Sequence, residues 1–331
     1  MVTSPDAVIL AIKTIIFFAS IAGNLLVGYV VFRNREMRTP FNFLLVNLAA
    51  ADIFQPCFLL LQFIVILRIR SAGEMPGNAI CAFLNKTAWT GAFAGVFTMV
   101  IIARERYYTV VHPHGQKGKI TARTLRVIIP CTWILAAVLC MRGLVLQAIG
   151  KELAVRSCDH FWTNETLHLI NDVIWATFLC LSFILMVGFY SIVVYTLWFK
   201  LNRDKQLTHQ QGVLKVRKRV TLMVLIISFM FEISWITDVA LHIIVKDLKS
   251  PEISIAHVFI MFNSAVNPFV YALLSQRFRE KMKGMIFCRS HPPNESISPT
   301  VSHSSRVFQQ LALSYQHKSP SECGDEVYDK K

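Results

Sequence analysis

Charge is scarce in this chain. Of its 331 residues, 16% are charged and 54% are hydrophobic, and the mean hydropathy is +0.49. A soluble globular domain keeps about a quarter of its residues charged, so this composition excludes that class and points to a membrane. Acidic residues are scarcer still, 20 against 34 Lys and Arg, for a formal net charge of +14. The sequence holds no glycine-rich nucleotide loop, no cluster of metal-ligating residues and no catalytic triad, so nothing in it suggests an enzyme. No cofactor or metal is expected. Internal repeats, which mark most transporters, are also missing.

What is present is apolar residues gathered into long runs, roughly Val8 to Phe32, Phe41 to Leu67, Ala79 to Ala103, Leu125 to Ile149, Leu167 to Phe199, Val220 to Val245 and Ile253 to Leu274. Each reaches the approximately 20 residues needed to cross a hydrocarbon core about 30 Å thick. Barrel strands would be about 10 residues long and alternate in polarity, so the spans are expected to be helices. The expected fold is all-α, a seven-transmembrane helix bundle over residues 1–288 followed by a disordered tail over 289–331. The tail is inferred from its Ser, Pro, His and Glu and its lack of apolar periodicity.

Basic residues set the expected orientation. Arg33, Arg35 and Arg38 follow the first run, Lys117, Lys119 and Arg123 the third, Lys200 to Arg219 the fifth, and Arg277, Arg279, Lys281 and Lys283 the seventh. The connections on the other face mix signs. By the positive-inside rule the amino terminus lies outside and the carboxyl terminus in the cytoplasm. The positive charge is thus a topology signal and not a nucleic-acid face. No basic region or small-residue cleavage pattern marks the first run for removal, so it is expected to be a retained helix.

The eight cysteines divide by compartment. Cys57, Cys131, Cys140 and Cys180 sit inside spans as packing residues, whereas Cys81 and Cys158 lie on the oxidising side and can form a disulfide. Asn164 begins an Asn-x-Thr glycosylation acceptor in the same outer loop. Behind the seventh span, Arg277 to Ile286 has Phe278, Met282, Met285 and Ile286 on one side and basic residues on the other. That pattern is a short amphipathic helix on the cytoplasmic lipid surface, followed by Cys288 as either a palmitoylation site or a free thiol.

Residues 104–107, Arg-Glu-Arg-Tyr, end an uncharged stretch. From Cys81 to Arg106 a helix covers about 37 Å, which places these charges at the cytoplasmic membrane surface. Alone they read as arginines snorkelling into headgroups. They have companions: Gly23-Asn24 in span one, Leu48 to Asp52 in span two, Trp133 in span four and Asn267-Pro268-Phe269-Val270-Tyr271 in span seven, with Cys81 and Cys158.

This ordered set, one group per span, resembles the rhodopsin-like (class A) G-protein-coupled receptors over about residues 8–288, and Lys215 to Val224 resembles the inner end of span six in neuropeptide receptors. The resemblance implies that Glu105, Arg106 and Tyr107, with Tyr190, Phe231, Trp235, Asn267, Pro268 and Tyr271, form the activation switch that receives a heterotrimeric G protein. It also implies a core polar network of Asn24, Asp52, Asn263, Ser264 and Asn267. Gly95 stands where the family places a hydroxyl ligand for sodium, so a hydrogen-bonded water cluster is the expectation there. Ser182 and Thr237 replace the family's prolines in spans five and six, and an atypical resting geometry or a loss of signalling are the alternatives this raises.

At the outer end, Ala88 stands where an amine receptor carries aspartate and Met261 where an opsin carries lysine, so neither ligand class is expected. The resemblance gives a pocket wall of Gln62, Trp89, Trp175, Asp238, His242 and His257. Asp238 either receives a cationic ligand group or pairs internally with His242 or Arg142, and Glu232 is either protonated or paired. The tail serines, including Ser296 and Ser302, are either arrestin-recruiting phosphorylation sites or solvated linker. The expected protein is a multi-pass plasma-membrane receptor with an extracellular ligand, most simply a peptide, and G protein, arrestin and lipid as partners. The competing readings are a receptor-fold binding or decoy protein that does not signal, and a receptor for a small molecule or lipid.

Overall fold

Amides buried in hydrocarbon have no water to bond, so an apolar chain satisfies them within helices. The computed structural model describes residues 4–72, 78–113, 115, 118–149, 165–200, 208–244 and 251–286, and the regular elements among them are helical. They are α1 (Ser4–Arg33), a single 3-10 turn (Arg35–Met37), α2 (Pro40–Ala72), α3 (Asn78–Val111) and α4 (Ala122–Ile149). Next come α5 (Glu165–Tyr195), closed by a π-helical turn (Thr196–Lys200), then α6 (Thr208–Ile244), α7 (Pro251–Leu274) and the short α8 (Gln276–Ile286). The first seven α-helices each contain a segment long and apolar enough to cross a membrane, from 21 residues in α7 to 32 through α5 and its π turn.

Several helices outrun the hydrophobic runs that announce them. α6 begins at Thr208, well before the apolar run at Val220. Lys215, Arg217, Lys218 and Arg219 are good helix formers, so the helix continues where the hydrocarbon ends. Cys158, Asn164, Cys288 and the tail from 289 lie outside the described residues, as do the side chains of Cys81 and His242.

α3 is the centre of the bundle. Its span is 78% buried, against 22% for the spans of α4 and α5, which turn Ile134, Val138, Leu181 and Ile184 outward as a lipid-facing surface. Phe93, Val96, Met99 and Ile102 of α3 pack in one core with Leu44 and Leu48 of α2, Met186 and Tyr190 of α5, and Ile227, Phe231 and Trp235 of α6. Two glycines set how closely neighbours approach. A Cβ on Gly91 would lie 2.9 Å from Phe54 Cδ1 and 3.1 Å from the Gln55 backbone nitrogen on α2. One on Gly23 of α1 would lie 2.8 Å from the Pro268 ring on α7.

Polar side chains then fix the register of the helices. Asn47 of α2 donates to Thr98 Oγ1 of α3 at 2.8 Å and accepts from Trp133 Nε1 of α4 at 3.0 Å, one amide tying three helices together. The expected amphipathic helix is α8. The Phe278 amide donates to Ser275 Oγ at 3.3 Å at its start, and its apolar side seats Phe278, 4% exposed, against the Tyr271 ring of α7. Lys281 of α8 pairs with Glu36 of the 3-10 turn at 2.9 Å, outside the spans. That ammonium, by hydrogen bond and by charge, draws the Glu36 carboxyl below its ordinary value.

Candidate functional site

At one end of the bundle Arg106, 9% exposed, closes on its sequence neighbour. Its Nε donates to Glu105 Oε2 at 2.7 Å, and the two side chains form an ion pair. The other Glu105 oxygen accepts from Thr109 Oγ1 at 2.8 Å, and the Arg106 guanidinium lies 3.8 Å over the centre of the Phe41 ring of α2. The pair is therefore satisfied on the carboxylate side and covered on the cation side, conditions under which an ion pair is worth more than an exposed one. Tyr107 turns away to pack on Phe189 and His112.

Beside this pair lies a cavity of about 590 Å³ bounded by Arg106, Met223, Arg219, Tyr271 and Arg277. Tyr190 of α5 is held by Ser228 of α6, hydroxyl to hydroxyl at 3.1 Å, so these two helices are joined here. The Tyr271 hydroxyl is buried and has no hydrogen-bond partner among the described residues. In this arrangement the tyrosines of α5 and α7 are not joined to each other.

Deeper in the bundle buried polar side chains of α1, α2 and α7 meet. Asn267 Nδ2 donates to Asp52 Oδ2 at 2.7 Å, linking α7 to α2. Ser20 Oγ of α1 donates to the Asp52 carbonyl at 2.9 Å, and Asn24 Nδ2 donates to the Ser264 carbonyl at 3.0 Å. The last bond has a local cause. Pro268 has no N–H to offer the carbonyl four residues back, which is Ser264, and the α1 amide supplies the missing donor. Asn263 sits in the same buried region. At Gly95 the nearest atoms to a Cβ position are 3.8 Å away, so the missing side chain leaves ordinary contact distances on α3.

The opposite end is aromatic. Trp89 of α3, Trp175 of α5 and Trp235 of α6 meet pairwise with ring centroids 5.4 Å apart. Phe93 meets Trp175 with its ring tilted, centroids 4.4 Å apart, His257 of α7 meets Trp89 at 5.8 Å, and Phe231 lies 5.8 Å from Trp235. Gln62 is held near this group because Asn85, one turn before Trp89, donates to its Oε1 at 3.4 Å. Asp238 is buried one turn beyond Trp235. Ala88 and Met261, the positions of the amine and retinal anchors, are both fully buried and pack into one apolar cluster with Leu59.

The proline replacements act differently in the two helices. Ser182 Oγ donates back to the Phe178 carbonyl at 2.8 Å, so a hydroxyl stands in the proline's place on α5. In α6 the hydroxyl that bonds back is Ser234, to Met230 at 2.9 Å, and not Thr237. Sequence reasoning missed the partners that hold these side chains: Phe41 and Thr109 around Arg106 and Glu105, and Ser228 on Tyr190. Thr109, one helical turn after Glu105, was the only one with a readable signal.

A seven-helix bundle with this network and this charged helix end defines a class of membrane receptor. Residues 23–271 match the family described as 7 transmembrane receptor (rhodopsin family), and the chain belongs to that family. It is a multi-pass plasma-membrane receptor and not an enzyme. Its relatives are receptors of neuropeptide type. Neuropeptide FF receptor 2 of Rattus norvegicus is 27% identical over 335 residues, covering 93% of this chain and 78% of that receptor. Neuromedin-U receptor 2 of Rattus norvegicus is 26% identical over 82% of this chain and 73% of its own length. For the substance-K receptor of Homo sapiens the figures are 27%, 87% and 76%.

Proposed function

We propose that the chain is a receptor for an extracellular peptide and passes the binding event to a heterotrimeric G protein. The amino terminus and the tryptophan end then face outward, and the Arg106 end faces the cytoplasm. The observation that carries this reading is the ion pair of Arg106 with Glu105 beside the cavity under Tyr271. Here Glu105 holds the arginine in the resting conformer, and movement of α6 frees it and widens the cavity for a G-protein segment. Binding shifts the population between two conformers by no more than the ligand's differential affinity for them.

The neuropeptide names of the relatives support a peptide ligand. In this reading Asp238 receives a cationic group of that peptide, with Gln62, Trp89, Trp175, His242 and His257 around it. Asn267, Pro268 and Tyr271 then act with Tyr190, Phe231 and Trp235 as the switch. The Cys81–Cys158 disulfide, the Asn164 glycan, palmitoylation of Cys288 and arrestin recruitment by the tail belong to the same proposal.

G-protein activation in cells, basal and in response to a peptide library, tests it with the Arg106→Ala and Asp238→Ala variants. Peptide-dependent signalling that requires Arg106 and loses potency without Asp238 is the expected result. Silence across all G-protein classes, with the receptor at the cell surface, refutes signalling and favours a non-signalling binding protein.

A further inference from the structure

Charged groups inside a membrane span are expensive and face a partner or a functional cavity. At the tryptophan end of the bundle the seam between α3, α4 and α5 holds Lys86, Arg142 and Asp172. Each lies seven or eight residues from the end of its helix, at Asn78, Ile149 and Glu165, which is about 10–12 Å along the helix. Lys86 lies close enough to both Arg142 and Asp172 to feel the charge of each. Among the described residues Lys86 and Arg142 are thus two cations brought together beside the tryptophans.

The guanidinium is only partly used. Arg142 Nη2 donates to Asn171 Oδ1 at 3.3 Å, and Asn171 in turn donates to Asp172 Oδ1 at 3.3 Å. Arg142 Nε and Nη1 are buried and have no hydrogen-bond partner among the described residues. Guanidinium N–H groups left without an acceptor carry a large desolvation cost. The backbone also makes room for the second cation: a Cβ at Gly143, next to Arg142, would lie 2.9 Å from Lys86 Cε and 3.1 Å from its Nζ. Glycine there lets the lysine stem lie across α4.

We propose that this seam is a binding subsite for a carboxylate of the receptor's ligand, with Arg142 as its anchor and Lys86 as a second positive charge. The neighbouring aromatics suit an aromatic group on the same ligand, because Trp89 and Trp175 each stand one turn further into the bundle from Lys86 and Asn171. The subsite deepens the ligand reading above, since it rests on that end being open to ligand. An anion at Arg142 and a cation at Asp238 together select a ligand that carries both signs.

The test reads binding and not signalling, so it stands or falls separately from G-protein coupling. The full chain, purified in detergent, is melted with two matched pairs of probes at about 10 mM: indole-3-propionate against its amide, and the dipeptide Ala-Phe against its C-terminal amide. The acids are expected to raise Tm by about 2–4 °C and the amides by much less. Arg142→Gln removes the difference and Arg142→Lys restores part of it. Gly143→Ala, which displaces Lys86 without altering charge, weakens the acid response about tenfold.

Equal shifts from acid and amide overturn the proposal, as does an acid response that survives both Arg142→Gln and Gly143→Ala. Stabilisation by phosphatidylserine over phosphatidylcholine in nanodiscs, lost in Arg142→Gln and without any acid response, also overturns it. That result would make the seam a lipid site.

Discussion

Replacing Trp89 and Trp175 by leucine, singly and together, tests whether the tryptophan triangle holds α6 in its resting position. Trp235 of α6 meets both residues with centroids 5.4 Å apart. An aromatic pair is worth about 0.5–1.5 kcal/mol beyond the area it buries, so losing both pairs removes about 1–3 kcal/mol. If outward movement of α6 breaks these pairs, the whole loss falls on the resting conformer and the equilibrium shifts about 5- to 150-fold. A receptor about 1% active at rest would become about 5–60% active in the double variant. Each single variant, losing one pair to α6, would raise the active-to-resting ratio about 2- to 13-fold.

The assay is basal nucleotide exchange on a purified G protein by the receptor in nanodiscs, normalised to folded receptor by its melting transition. Because Trp89 and Trp175 also touch each other at 5.4 Å, the double-variant cycle is not expected to be strictly additive. A folded double variant with basal exchange unchanged or reduced refutes the idea that the triangle restrains α6.

Opposite signs are expected at two glycines of α3: Gly91→Ala lowers stability by about 1–3 kcal/mol through overpacking, and Gly95→Ala raises it by about 0.5–1 kcal/mol. The reason is the nearest neighbour of the new Cβ, at 2.9 Å in the first case and 3.8 Å in the second, and melting in detergent reads both. Asn24→Ala is expected to cost about 1–3 kcal/mol in the native background, because it strips the donor from the Ser264 carbonyl. It costs clearly less beside Pro268→Ala, where residue 268 regains its own N–H; equal costs in both backgrounds would show that the bond to Ser264 is not what Asn24 contributes.

The Glu36 contact with Lys281 should depend on pH. The Glu36 carboxyl lies below its ordinary 4.5 because of Lys281, so the contact contributes above that value and is lost as pH falls through the lower one. A fluorescent probe on α8 should report loosening in acid, and Lys281→Met should abolish the transition. Salt should weaken the contact at neutral pH, since Glu36 is largely exposed and Lys281 partly so.

The seven spans were legible because hydrocarbon leaves the backbone no alternative: about 20 apolar residues must become a helix whatever their order. Asp52 was legible as an ionisable group in an apolar span, whereas Asn24 and Asn267 were singled out through the family resemblance. What the sequence did not reveal is which hydroxyl or ring meets each of them. Phe41 over Arg106 and Ser228 on Tyr190 are contacts between helices, and no spacing along one helix encodes the rotation of its neighbour. Nor did it reveal the Lys86 seam, because Gly143 reads as a weak helix position until the lysine stem is seen lying across it. Where helix ends and apolar runs differ most, as at Thr208 of α6 and Val111 of α3, the helix is the longer, because hydropathy marks the membrane and not the helix.

α6 is the element through which the two ends of the bundle can communicate. Trp235, Phe231, Ile227, Val224 and Met223 recur at helical spacing and are all buried, and Ser228 beside them holds Tyr190. This stripe runs for about 18 Å, from the tryptophan triangle to Met223 on the wall of the cavity beside Arg106. A close-packed stripe does not deform gradually, because partial displacement forfeits contacts along its whole length without forming new ones. The helix therefore has two stable settings or one, and a ligand that inserts among the tryptophans acts on the same rigid face that lines the Arg106 cavity. α7 is the fixed reference for that motion: Gly23 lets α1 reach the Pro268 ring, Asn24 fills the donor that proline lacks, and Asn267 ties the helix to Asp52. Loosening those ties should blur the switch at both of its ends, whereas loosening the triangle should only tip it.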